Sequence, residues 1–166
     1  MTTWRMRMVC AVLALAPAVH AGDKTAHKMA AKGEAVLLNA SELKWGPAPP
    51  DLPKGAQLAV LHGDPTKPGP FVMRLKAPDG YKIPPHWHTQ DENLTIISGT
   101  LVMYMGDTWS VEPHDLDVAA YHFLPGKMHH AAAAKGETIV QINGQGPFDI
   151  HYLNPADNPN PKTATR

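Results

Sequence analysis

The stretch Gly80-Tyr-Lys-Ile-Pro-Pro-His86-Trp-His88-Thr-Gln-Asp-Glu92-Asn-Leu-Thr-Ile-Ile-Ser-Gly99 decides how this chain is read. Two histidines stand two residues apart, and a carboxylate follows four residues after the second. Side chains alternate between faces along a strand, so His86 and His88 point one way and Trp87 the other. Glu92 lies past a bend, where strand parity no longer places it, yet it is near enough in sequence to join the same site. Two imidazoles and a carboxylate on one face suit a divalent ion that takes nitrogen and oxygen ligands.

On both sides of this stretch, short apolar runs alternate with turn residues, and no long helical period interrupts them. Strands are predicted over residues 56–62, 71–76, 94–97, 101–105, 108–111, 117–124, 137–143 and 148–153. The turns between them carry their own chemistry. Pro78-Asp79-Gly80 combines a fixed φ with a residue that tolerates positive φ. Ser98-Gly99 reads as a hairpin-like connection. A first edge strand is predicted at residues 41–46. The proline-rich segment 47–53 reads as an extended arm, because each proline fixes its own φ and disfavours helix in the residue before it. Many short strands with no helix between them imply an all-β sandwich or barrel.

The opening stretch resembles the first signature of the cupin superfamily, G-x5-H-x-H-x3-E-x6-G, with Gly80, His86, His88, Glu92 and Gly99 at the defined positions. The resemblance spans residues 57–153. It implies a double-stranded antiparallel β-barrel of the jelly-roll kind, preceded by the extended N-terminal arm. It also implies one divalent transition metal held by His86, His88, Glu92 and a third histidine further on. The second signature, G-x5-P-x-G-x2-H-x3-N, is matched imperfectly by Tyr121-His-Phe-Leu-Pro125-Gly-Lys-Met-His129-His130-Ala-Ala-Ala-Ala134. Counting from Pro125, the ligand is His130 and Lys127 stands where the family has glycine. Counting from Gly126, the ligand is His129. Alanine replaces the asparagine either way. Neighbours on a strand face opposite ways, so one of the pair enters the barrel. The proline fixes the entry to the strand and favours His130. A single set of motifs implies a single-domain protein, and the family implies a possible homodimer formed through edge strands.

The ends of the chain and its composition set the context. The 166 residues allow one domain with a real core. Formal net charge is zero, so neither nucleic acid nor an anionic membrane surface is indicated as a partner. Arg5 and Arg7, the apolar run 8–16 and Val19-His20-Ala21 read as a signal peptide cut after Ala21, too short to span a membrane. That places the mature chain in a secreted or periplasmic compartment, with no membrane association after cleavage. Cys10 is the only cysteine, so the mature chain offers no thiolate ligand. The domain plan is a signal peptide over 1–21, a tail and arm over 22–55, a barrel over 56–153 and a C-terminal tail over 154–166.

Three imidazoles and a carboxylate leave one or two positions of a five- or six-coordinate shell for water or substrate. That suits Fe, Mn, Ni or Co, with Cu a contender and Zn less suited in a filled four-coordinate shell. The leading functional expectation is a secreted metalloenzyme, dioxygenase-like, acting on a small organic substrate in the barrel, with Glu92 serving also as a catalytic base. The alternatives are a redox-neutral isomerase or lyase using the ion as a Lewis acid, and a non-catalytic module that binds a small ligand or metal. Met103 and Met105 are read as core or pocket lining. Gln141 and Asn143 are read as ligand-facing or edge polar groups. Phe71, Tyr121 and Phe123 are read as core, and His62, His114, His122 and His151 as ordinary surface or core histidines.

Overall fold

The computed structural model describes residues 35–160. The expected signal peptide over 1–21, most of the following tail and the last six residues lie outside the described residues. A short 3-10 turn, Ala40–Glu42, occupies the place where the first edge strand was expected. The strands are β1 (Gly46–Pro47), β2 (Gln57–His62), β3 (Gly69–Ala77), β4 (Lys82–Trp87), β5 (Glu92–Met105), β6 (His114–Leu116), β7 (Tyr121–Leu124), β8 (His130–Gly146) and β9 (His151–Tyr152).

All pairings are antiparallel, and two long strands, β5 and β8, organise them. Each contributes its two halves to two different strand layers. In one layer the order is β1-β2-β3, then the C-terminal half of β8, the N-terminal half of β5, and β7. In the other the order is β9-β4, then the N-terminal half of β8, the C-terminal half of β5, and β6. The chain is thus an all-β double-stranded barrel, as its alternation of short apolar runs and turns indicates.

Strand β3 shows why the sequence folds this way. Phe71, Met73, Leu75 and Ala77 are buried, while the intervening Val72, Arg74 and Lys76 are half-exposed. This period-2 pattern sends one face into the barrel and the other outward. Leu94, Ile96, Leu101, Met103, Val140 and Ile142 complete the core from β5 and β8.

Several boundaries differ from the sequence expectation. Residues 94–97 and 101–105 are one continuous bent strand rather than two joined by a hairpin, with register shifts around Ser98 where β5 passes between layers. Lys135-Gly136, just before the predicted strand 137–143, is likewise a distortion within the continuous β8, with Gly136 at φ +74. Residues 108–111 form turns and bends instead of a strand. The predicted strand 117–124 is broken by a turn in which Ala119 takes φ +70, leaving only β7. In each case a local turn signal was read as a chain reversal, or missed, because pairing across the barrel overrides local preference.

Tyr121 and Phe123 are exposed at 56% and 51%, not core. Gln141 and Asn143 face outward, where the Arg74 guanidinium Nε donates to Gln141 Oε1 at 3.1 Å, so they do not face the interior. The arm lies along the barrel. Gly46–Pro47 pairs with β2, the chain turns once at Pro49–Leu52, and the Tyr81 and Tyr152 hydroxyls donate to the carbonyls of Pro53 and Asp51 at 2.6 and 2.7 Å.

Candidate metal centre

Strand β4 ends with His86 and Trp87, and His88 follows immediately. Register pairs His86 with His130 at the start of β8, bringing their rings to 4.2 Å between centroids. The His88 ring lies edge-on to His86 at 4.9 Å and stacks on Phe148 at 4.5 Å. Trp87 points the other way and stacks on His151 at 4.0 Å. All three histidines are buried, and one ring nitrogen from each lies within 4.8 Å of the others.

The backbone sets which nitrogen is free. His86 Nδ1 donates to the Pro84 carbonyl at 2.7 Å, His88 Nδ1 to the Asp149 carbonyl at 2.5 Å, and His130 Nδ1 to the Met128 carbonyl at 3.0 Å. A carbonyl only accepts, so each Nδ1 carries the hydrogen and each Nε2 keeps its lone pair. Burial, and next the neighbouring rings, push the pKa of His86 well below its ordinary value; burial also lowers that of His130. Burial thus favours the neutral form of the His86 and His130 rings, the form that binds a metal. An ion about 2.1 Å from each nitrogen tolerates nitrogen separations up to about 4.2 Å, so closing on one requires only small ring movements. Backbone acceptors fixing the tautomer from behind are the support that histidine ligands ordinarily have. The donor set thus fits a divalent transition ion.

His129, the alternative third imidazole, is partly exposed, and its Nδ1 meets Asp107 Oδ1 at 2.7 Å. It lies apart from the cluster. Glu92 is 5% exposed at the start of β5, and its position needs care. Its Oε2 lies 3.2 Å from His122 Nε2 and 3.6 Å from His130 Nε2, and it is not among the donors gathered within 4.8 Å. Burial raises its pKa, but the His122 hydrogen bond and the nearby imidazoles outweigh this and hold it at about 2. Glu92 is thus an ionised carboxylate beside the three histidines.

His122, read from sequence as ordinary, is the residue that the sequence reasoning missed. Its Nε2 donates to Glu92, while its Nδ1 is buried without a partner among the described residues. The available signal was parity with the buried Leu124 on β7. The aromatic residues on the outward face of this strand hid that parity.

Two loops hold the cluster in place. The Lys127 amide donates to the His88 carbonyl at 2.8 Å, and the Gly126 amide donates to Asp91 Oδ1 at 2.8 Å. Lys127 has φ +67, the left-handed region, at the position where the second signature has glycine. The backbone kept the glycine conformation although the residue changed. Lys127→Gly is therefore expected to raise stability by about 1 kcal/mol, measurable as a higher midpoint in urea; an unchanged or lower midpoint contradicts it.

A cavity of about 200 Å³ opens beside the histidines. Leu58, Met73, Leu94, Met103 and Ile142 form its walls, and His86, His88, Glu92, His122 and His130 its polar part. Pro49, Asp51 and Leu52 of the arm also line it.

The family model described as a domain of unknown function, DUF4437, matches residues 10–151. No curated protein sequence matches the chain. Among solved structures, the chain is similar to the polyketide cyclase RemF from Streptomyces resistomycificus, at 12% identity and TM-score 0.60, covering 76% of this chain and 90% of that one. A putative acetylacetone dioxygenase from Methylibium petroleiphilum PM1 aligns at 16% identity and TM-score 0.59, over 80% of this chain and 90% of that one. An RmlC-like cupin from Shewanella frigidimarina NCIMB 400 aligns at 13% identity and TM-score 0.53, over 68% of this chain and 91% of that one. At such identities the likeness shows the fold alone, and that fold is the cupin barrel.

Proposed function

Starting from the fact that this chain belongs to the DUF4437 family and has the cupin fold, we propose that it is a secreted or periplasmic metalloenzyme acting on a small organic molecule. The observation that carries this reading is the convergence of three buried imidazoles beside an apolar cavity. In this reading His86, His88 and His130 hold one divalent ion. A divalent ion held by these three donors would keep coordination positions open for water or substrate. The ion supplies redox or Lewis-acid chemistry when bound. Glu92 holds a proton-accepting carboxylate beside it, steadied by His122 Nε2–H. The apolar walls exclude water from the bound substrate.

Glu92 also favours a second reading. A buried carboxylate beside a Lewis-acid site is placed to accept the proton that a redox-neutral isomerase or lyase removes next to a carbonyl. Elemental analysis of protein purified from its native compartment, followed by turnover assays with and without dioxygen, tests both. The oxygenase reading expects iron, manganese, nickel, cobalt or copper, and strict dependence on dioxygen. Activity that persists anaerobically with a redox-inert metal replaces it with the Lewis-acid reading. Protein without stoichiometric metal removes both.

A further inference from the structure

The walls of the cavity carry information about its ligand. Among the described residues, no lysine or arginine lines it. The nearest basic side chains on β3 project outward and are engaged there: Arg74 with Gln141, and the Lys76 ammonium over the Trp45 ring at 4.6 Å. The charged residues that do line the cavity, Asp51, Glu92 and Asp149, are all acidic. The Asp149 carboxylate already accepts from the Thr89 amide and hydroxyl at 2.8 and 2.7 Å, and it meets His151 Nε2 at 2.9 Å.

The ion held by the three imidazoles is the cation that an anionic oxygen group of the ligand would meet. A second negative charge on the ligand finds no lysine or arginine among the described lining residues. Burying it there is strongly unfavourable. A cavity of about 200 Å³ also falls below the ~300–1,000 Å³ usual for drug-sized ligands.

We infer that the cavity selects a small molecule with an uncharged, apolar body and a single anionic oxygen head, and rejects dianionic analogues. This rests on the metal-centre reading above, and it specifies the substrate class of that site.

The test uses two probes with the same chelating head and equal chain length. Hexanohydroxamic acid has a methyl tail, and adipic acid monohydroxamate has a carboxylate tail. Affinity for the metal-loaded protein is measured by calorimetry, with metal content determined on the same sample and the His86→Ala variant as control. The expected result is at least about tenfold tighter binding of the methyl-tailed probe to the loaded protein, and loss of that binding in the control. Equal or tighter binding of the carboxylate-tailed probe overturns the inferred substrate class and leaves the metal centre standing. So does a loaded protein that binds neither probe. A protein that takes up no metal fails earlier, at the metal-centre reading, and the inference falls with it.

Discussion

Replacing His86 by alanine is expected to take bound metal from stoichiometric to background and to remove the thermal stabilisation that the ion provides. The ring belongs to a cluster of three, and two remaining imidazoles hold an ion far less tightly. Loss of a group that merely supports a ligand already costs about 10- to 100-fold in affinity, so loss of the ligand itself should exceed that. His88→Ala and His130→Ala are expected to behave alike, whereas His129→Ala should keep its metal, because His129 pairs with Asp107 outside the cluster. Glu92→Gln is the informative comparison. Its carboxylate is engaged by His122 rather than gathered with the three donor nitrogens, so the variant should retain metal while losing proton-transfer capacity. Full metal in His86→Ala, by elemental analysis of dialysed protein, contradicts the site.

The same buried groups give the ion-free protein an acid-sensitive stability. His86 and His130 titrate below the ordinary value of 6.5. Below 6.5 the unfolded chain binds protons that the folded chain refuses, so stability falls as pH falls through that range. Glu92 acts in the same direction at lower pH. Held at about 2 against an ordinary 4.5, it stabilises the fold above the carboxylate range and loses that contribution on the way down.

Much of this was legible in the sequence, for a specific reason. Period-2 parity fixed the shared face of His86 and His88, and the proline-defined start of β8 favoured His130 over His129; the structure places these three rings together. Parity fails wherever a strand bends or a bulge inserts a residue. Glu92 follows such a bend, and its partner His122 comes from a strand distant in sequence, so the Glu92–His122 pair became visible only once β5 and β7 were paired. The two halves of β5 were read as separate strands, and the predicted strand 137–143 starts only after Gly136, for the same cause: Gly99 and Gly136 signal turns locally, while cross-strand pairing carries the chain through.

Gly99 also gives the largest expected effect on folding. It takes φ +74 where β5 passes from one layer of the barrel to the other. A Cβ there would lie 2.4 Å from the Glu137 carbonyl oxygen and 2.6 Å from Thr138 Oγ1. The first contact is backbone, and Thr138 is itself fixed, 1% exposed and bonded to the Thr100 and Gly136 carbonyls. Neither neighbour can yield without opening the contact between β5 and β8. Gly80, the other glycine of the same signature, provides the control, with φ +73 and nothing within 4 Å of an added Cβ. The Gly80→Ala change should therefore cost only the left-handed backbone penalty, about 1–2 kcal/mol. Gly99→Ala should cost that penalty plus the clash, about 3–5 kcal/mol in all. Urea denaturation of both variants isolates the clash, and equal losses would show that the β5–β8 contact adapts. The consequence reaches the metal centre, because the half of β5 before Gly99 carries Glu92 and the half after it pairs Met105 with His130. Separating those halves moves the carboxylate relative to the imidazoles, so Gly99→Ala should weaken metal binding as well as folding, whereas Gly80→Ala should leave metal binding unchanged.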